Sequence, residues 1–226
     1  MRLEKLSVLI LGLLFMQTVL LGLLLWRIQS LERLVLSAAS GGALGAPPEE
    51  EEVVAVDPGN GPTQGDAAAP VTIVEFSCFT CPACADLQTG LKETLSRHPG
   101  KIRLAYRYFP LRLEGKPILL AKAAECARAQ GKFWEAHDLL FKKSLDIEGE
   151  KALLDAMAPL GLDPAGLSQC IASKETEARV RADFEAGRSY GVNSTPTLFI
   201  NGRRVQGADL RILEQVVESN LEKGVV

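Results

Sequence analysis

From Ile118 to Tyr190 every apolar repeat in this chain is helical, and the block separates two stretches that read as strands. That order limits the folds open to it. Ahead of the block, Val71-Thr72-Ile73-Val74-Glu75-Phe76 is short and β-branched, which predicts a buried strand. Leu87, Leu91 and Leu95 then recur at helical spacing between Ala85 and His98. A second strand is predicted where Ile102 to Phe109 alternates apolar and polar residues, completing a β-α-β unit. Within the block, helices are expected over Ile118–Gln130, Phe133–Lys143, Lys151–Leu160, Pro164–Ser173 and Glu175–Tyr190. Asp163-Pro164 is a helix-start signal, an N-cap followed by proline in the first turn. After the block, Thr197–Ile200 and Arg203–Gln206 flank Asn201-Gly202, a two-residue hairpin signal, and an amphipathic helix over Leu210–Leu221 closes the chain. The reading is an α/β core whose sheet is assembled from both ends of the body, with a helical insertion. No internal repeat is visible.

The first residues obey a different rule. Leu6 to Trp26 carry no charge, and at ~1.5 Å per residue such a helix spans about 31 Å, matching a hydrocarbon core of ~30 Å. The run exceeds the apolar region of a cleaved signal, and Arg27, Glu32 and Arg33 precede the first small-residue cluster, Ser37-Ala38-Ala39-Ser40. A retained membrane anchor is therefore expected. Arg2 and Lys5 on one side and Arg27 and Arg33 on the other leave its orientation open by charge. Leu24, Ile28, Leu31 and Val35 fall at alternating spacings of four and three, a short heptad-like pattern that fits a helix continuing past the bilayer or, as the alternative, the start of a parallel coiled coil. Ser40 to Ala69 is Gly, Ala, Pro and Glu with almost no large apolar residue, the composition of a flexible tether. The segments expected are 1–5 cytoplasmic, 6–26 transmembrane, 27–66 linker and 67–226 the folded body, its helical insertion spanning about 114–190.

Charge excludes one class of partner. The net charge is −3 over 226 residues. Residues 1–36 carry +2, residues 37–69 carry −6 and the remainder +1, with no basic block. Nucleic-acid binding, which rests on clustered Lys and Arg, is not expected.

The chemistry lies where the first strand turns into the first helix. Cys81-Pro82-Ala83-Cys84 puts one cysteine at a helix N-terminus and the next a turn inside it. The unpaired N–H groups and the dipole of that end both favour a thiolate at Cys81. Pro82 suits the first helical position because it has no N–H to leave unsatisfied, and Ala83 keeps the turn small. Cys81 can attack a disulfide and Cys84 can resolve the mixed disulfide. Zinc sites share this spacing, but they need two further ligands, and no second pair or His-rich tract accompanies this one. The pair reads as redox, with no metal. His98, beside Pro99 at a helix end, and His137, near Trp134 and Phe141 on a helix, read as dipole-matching and packed groups.

These residues carry a resemblance. Val74-Glu75-Phe76-Ser77-Cys78-Phe79-Thr80-Cys81-Pro82-Ala83-Cys84 resembles the active-site segment of the DsbA-like thiol:disulfide oxidoreductases. Gly191-Val192-Asn193-Ser194-Thr195-Pro196-Thr197-Leu198-Phe199-Ile200-Asn201-Gly202 is similar to that family's cis-proline loop and following hairpin. Gly131-Lys132-Phe133-Trp134-Glu135-Ala136-His137-Asp138 resembles a stretch of its helical insertion. The resemblance implies a thioredoxin-like fold with an inserted helical domain over about residues 66–226. It implies Cys81 as exposed nucleophile, Cys84 as buried resolving thiol and Glu75 as the buried acid that takes the Cys84 proton. Pro82 and Ala83 would border the substrate, and Pro196 would be the cis-proline, with Thr195 offering its backbone to an extended peptide. The family also implies a structural disulfide between Cys126 and Cys170. Cys78 departs from the pattern, since relatives commonly have Asp there, and reads as a partly buried free thiol, with competition against Cys84 for Cys81 left open.

The function expected is exchange of the Cys81–Cys84 disulfide with cysteines of secreted, unfolded proteins, chiefly as an oxidase and with no cofactor beyond that disulfide. Disulfide chemistry belongs in an oxidising compartment, so the body is expected outside the cytoplasm, on the periplasmic side of the inner membrane, and reoxidised by a membrane partner. Two alternatives stay open: a reductase or isomerase kept reduced by a membrane electron donor, and a non-catalytic peptide-binding chaperone module.

Overall fold

The computed structural model describes residues 16–18, 20–27, 29–30 and 53–223. The chain divides into two units, Met1–Glu50 and Glu51–Val226. In the first, the described residues are helical, and Leu20, Leu21, Leu23, Leu24, Leu25 and Trp26 are all exposed. Among the described residues no helix is long and apolar enough to cross a membrane. The rest of the expected anchor, residues 6–15 and 19, lies outside the described residues, as do residues 31–52 of the expected linker.

The second unit is built on a five-stranded sheet in the order β1-β3-β2-β4-β5. Its strands are β1 (Thr63–Gln64), β2 (Val71–Ser77), β3 (Ile102–Tyr108), β4 (Thr197–Ile200) and β5 (Arg203–Gln206). β2 and β3 run parallel, joined by α1 (Pro82–Arg97), and the other pairings are antiparallel. The helical block comprises α2 (Gly115–Ala129), α3 (Phe133–Lys143), α4 (Gly149–Met157), a 3₁₀ turn at Ala158–Leu160, α5 (Pro164–Ala172) and α6 (Lys174–Ser189). Helix α7 (Leu210–Lys223) closes the chain.

Local signals place these boundaries. Asp163 caps α5, its carboxylate accepting from the N–H groups of Ala165 and Gly166, with Pro164 at the first helical position. Asn201 and Gly202 both have positive φ, 48° and 85°, the pair that a tight turn between right-twisted strands requires. α1 begins at Pro82, three residues before the start read from periodicity, because the proline fixes the first turn where apolar spacing gives no signal.

Alternation sends the residues of β2 to two cores. Val71 and Ile73 pack with Leu87 and Leu91 of α1 and Leu213, Val216 and Val217 of α7. Val74 and Phe76 pack on the opposite face with Phe109, Phe199 and Phe184 of α6. The larger cluster joins the insertion to the end of the sheet, where Tyr106 and Tyr108 of β3 meet Phe133, Ala136 and Leu140 of α3. At this junction β2 ends and α1 starts.

The stretch read as tether is ordered along its second half. Val54 N–H bonds to Gly202 O at 3.0 Å, Tyr106 N–H to Pro62 O at 3.0 Å, and Thr63–Gln64 pairs with β3. Arg107, buried against Asp183, also donates to Asp57 O at 2.7 Å. Backbone pairing and a few valines hold this segment, which its Gly- and Pro-rich composition does not disclose. The folded body therefore starts N-terminal to the boundary at residue 66.

Candidate active site

β2 delivers the chain to a turn at Cys78-Phe79-Thr80, closed by Cys81 N–H donating to Cys78 O at 3.0 Å. Cys81 is the N-cap of α1, with extended φ −94° and ψ 118°, and its side chain makes no cap hydrogen bond. The sulfur is left free for chemistry at the end of the helix where unpaired N–H groups point outward. Cys84 is a turn further on, its N–H bonded to Cys81 O at 3.1 Å. Cys81, Cys84 and Cys78 are all in the free form.

Thr195-Pro196 is a cis peptide, and it brings the Thr195 carbonyl to 3.3 Å from Cys81 Sγ, which donates to it. Because this loop lies over the sulfur, Cys81 is 8% exposed rather than open. Cys84 is fully buried, while Pro82 and Ala83 between them are exposed and Pro196 is buried. The pair is thus asymmetric, with one sulfur in a shallow recess against a carbonyl and the other inside.

Glu75 is fully buried on β2. Gln88 Nε2 donates to Glu75 Oε1 at 2.9 Å and to Cys84 O at 3.2 Å, tying the acid to the helix that carries the dithiol. Burial pushes the Glu75 carboxyl above the ordinary glutamate range, opposed most strongly by His137, then by Ser77 and Gln88. Burial also pushes the Cys84 thiol up, opposed by Ser77, the Cys78 backbone and Thr195. A thiol held protonated needs a base before it can attack, and a carboxyl held above its usual range can take that proton and return it.

Two participants were not singled out from the sequence. Gln88 follows Leu87 and precedes Leu91, a polar residue four after Cys84 on the inward face of α1. Ser77 is two residues after Glu75 and so on the same face of β2. Both spacings were legible once Glu75 was chosen. Cys78 is buried, its sulfur 3.2 Å from Thr80 Oγ1. His137 is buried with its ring 5.3 Å from that of Tyr106 and 4.9 Å from that of Phe141, and Nδ1 is 3.0 Å from Asp138 Oδ1. His98 is the C-cap of α1, its N–H bonded to Thr94 O at 3.2 Å. Away from this site, Cys126 of α2 and Cys170 of α5 form a disulfide with Cα atoms 5.8 Å apart. Among the described residues no group of three or more His, Cys, Asp or Glu is gathered to hold a metal.

A family model described as Thioredoxin matches residues 57–218. The chain belongs to the thioredoxin family. Among solved structures of this fold, a thioredoxin-like oxidoreductase from Silicibacter pomeroyi DSS-3 is 27% identical, with a TM-score of 0.63 over 73% of this chain and 94% of that one. The thiol-disulfide exchange protein alpha-DsbA2 from Wolbachia pipientis is 25% identical, with a TM-score of 0.59 over 70% of this chain and 86% of that one. The Na(+)/H(+) antiporter NhaA 3 of Salinispora tropica is 35% identical over 156 residues, 69% of this chain and 24% of the antiporter. The chain thus spans about a quarter of the length of the curated relatives it matches. The DsbA-like resemblance read from three motifs agrees with these solved thioredoxin-fold neighbours, one named an oxidoreductase and the other a thiol-disulfide exchange protein.

Proposed function

We propose that this member of the thioredoxin family donates its Cys81–Cys84 disulfide to cysteines of unfolded proteins outside the cytoplasm. A substrate thiolate attacks Cys81 Sγ, the Cys81–Cys84 bond breaks, and the Cys84 thiolate takes a proton from Glu75. A second substrate thiolate then attacks the substrate sulfur of the mixed disulfide, releasing the Cys81 thiolate. Two electrons pass from substrate to enzyme, and an oxidant at the membrane must remove them. The exposed Pro82 and Ala83 and the Thr195 backbone border the reacting sulfur and suit an extended peptide. The single observation that carries this reading is the asymmetry of the pair: Cys81 at a helix N-terminus against the Thr195 carbonyl, Cys84 sealed in the core and tied through Gln88 to a buried carboxyl.

The test is transfer to a reduced, unfolded ribonuclease supplied in equal amount. The oxidised protein is expected to emerge as the dithiol while the ribonuclease gains disulfides, counted by alkylating the remaining thiols. An oxidised protein that stays oxidised, together with a reduced form that readily reduces insulin, overturns the oxidase direction in favour of the reductase. The charge-free residues 6–26 are proposed to hold the body to a membrane, a reading favoured by the uncovered leucines at 20, 21, 23, 24 and 25. Extraction of membranes at alkaline pH is expected to leave the full chain in the pellet; release into the soluble fraction removes the anchor.

A further inference from the structure

Near the dithiol four buried side-chain atoms make no hydrogen bond of ordinary geometry among the described residues: Glu75 Oε2, Ser77 Oγ, Tyr106 Oη and His137 Nε2. They belong to one neighbourhood. Glu75 and Ser77 share a face of β2, and Tyr106 stands opposite Glu75 in the parallel ladder. The His137 ring packs edge-on against Tyr106 and within 5.9 Å of the Phe79 ring, in the cluster that contains Cys84. Polar atoms so deeply buried are ordinarily satisfied, by the chain or by a bridging water, so four together at a proton-transferring site ask for a function.

His137 differs from the other three because its far side reaches solvent. Nδ1 lies 3.0 Å from Asp138 Oδ1, and Asp138 Oδ2 lies 2.6 Å from Lys92 Nζ on the surface. The His137 contact, followed by Lys92, holds the Asp138 carboxyl down at about 2, so at neutral pH it is an acceptor only. Nδ1 therefore carries a proton toward Asp138, and in the neutral form of the ring Nε2 is the bare nitrogen, buried on the inward side. A cavity of about 230 Å³ lined by Ala85, Gln88, Lys92, Asp138, Phe141 and Lys142 opens beside this exit.

We propose that His137 is a positioning residue that connects Glu75 to solvent, accepting at Nε2 the proton that Glu75 collects from Cys84 and releasing one from Nδ1 on the Asp138 side. The inference rests on the proposed role of Glu75 and extends it. In the resolving direction Cys84 S–H gives its proton to Glu75 and the new thiolate attacks Cys81 Sγ. The Cys81–Cys84 bond forms, the substrate–Cys81 bond breaks, and the substrate leaves as a thiolate. In the proposed route Glu75 then passes the proton to the imidazole through a bridging water and is a carboxylate again. No electrons travel this route. Without it, the titratable groups close to this enclosed carboxyl among the described residues are the thiols and Tyr106, whose phenol burial keeps protonated.

The test is the release of a coloured aromatic thiol from a mixed disulfide on Cys81 of the full chain, a single-turnover reading of attack by Cys84. The groups facing His137 and Glu75 are Cys84 and Lys92 on α1, Tyr106 on β3 and Asp138 on α3, so the profile is recorded in wild type, His137→Gln, Asp138→Asn and Glu75→Gln. His137→Gln is expected to slow release by about tenfold, a fraction of the roughly 10²–10⁴ that a placed acid–base group contributes, and to flatten its pH profile. Asp138→Asn, half-exposed and harmless to packing, should shift that profile by a smaller amount and is read even if His137→Gln fails to fold. Capture of the first thiol by Cys81 should be unchanged in both. If Glu75→Gln slows release while folded His137→Gln and Asp138→Asn keep the wild-type rate and profile, the route through His137 is wrong and the Glu75 reading stands. If Glu75→Gln also leaves release unchanged, the Glu75 reading itself falls.

Discussion

The molecule holds two chemically opposite cysteine pairs, each with one residue sealed in the core and one nearer the surface. Cys126–Cys170 ties α2 to α5 inside the helical block, and the polar group beside its sulfurs is the Thr176 hydroxyl, 3.8 and 3.3 Å away. Cys81 and Cys84 sit where a strand feeds a helix, with a carbonyl at the outer sulfur and a buried carboxyl tied to the inner residue through Gln88. Burial alone therefore does not separate a structural bridge from an exchanging one. In the proposed function, proximity to a helix N-terminus and to a buried carboxyl does.

The comparison breaks first at Cys81. Cys81→Ser is expected to abolish thiol exchange, and Cys84→Ser to accumulate mixed disulfides with substrate, visible as reducible adducts on a gel. Appreciable exchange in Cys81→Ser would move the nucleophile elsewhere. Removing the other pair together, as Cys126→Ala with Cys170→Ala, should leave exchange rates alone and lower stability. The bridge spans a separation of 44 residues, for which the chain-entropy estimate is about 4 kcal/mol. Denaturant unfolding of the oxidised double variant measures it, and altered exchange kinetics would mean the two pairs communicate.

Glu75→Gln sharpens the contrast at the inner sulfur. It should slow resolution by about 10²-fold while sparing the first attack. It also carries a pH signature. Burial raises the Glu75 carboxyl in the folded state above its unfolded value, so the folded chain holds the extra proton between the two values. Stability therefore falls as pH rises through that window, and the loss is complete above the folded value. Replacing Glu75 by Gln removes the slope, so variant and wild-type melting curves should diverge with rising pH in favour of the variant. Parallel curves would place Glu75 outside this account. The smallest effect belongs to Cys78, whose sulfur contacts a hydroxyl and the apolar cluster. Cys78→Ala should cost about 1 kcal/mol, as small core truncations do, and leave resolution kinetics unchanged.

The fold was legible where periodicity or chemistry is local. Alternation in Ile102–Tyr108, the Asp163-Pro164 start and the Asn201-Gly202 turn each read correctly because the cause lies within a few residues. Residues 53–66 did not, since their order comes from strand pairing and from Arg107 reaching Asp57, contacts between positions far apart in sequence. The site divides in the same way. Cys81, Pro82 and Cys84 follow from spacing alone, whereas Glu75 and Thr195-Pro196 came from resemblance, and Gln88 and Ser77 required the register of strand and helix. His137 read as a packed ring, which it is; that its inward nitrogen has no partner among the described residues is a tertiary fact no pattern carries.

The most direct test of the proposed direction is the reduction potential of the Cys81–Cys84 pair in glutathione buffers, with Cys78→Ala as control. A donor of disulfides should lie near the oxidising end of this family's range, roughly −120 mV, whereas a value near thioredoxin's roughly −270 mV would contradict it and make the protein a reductant.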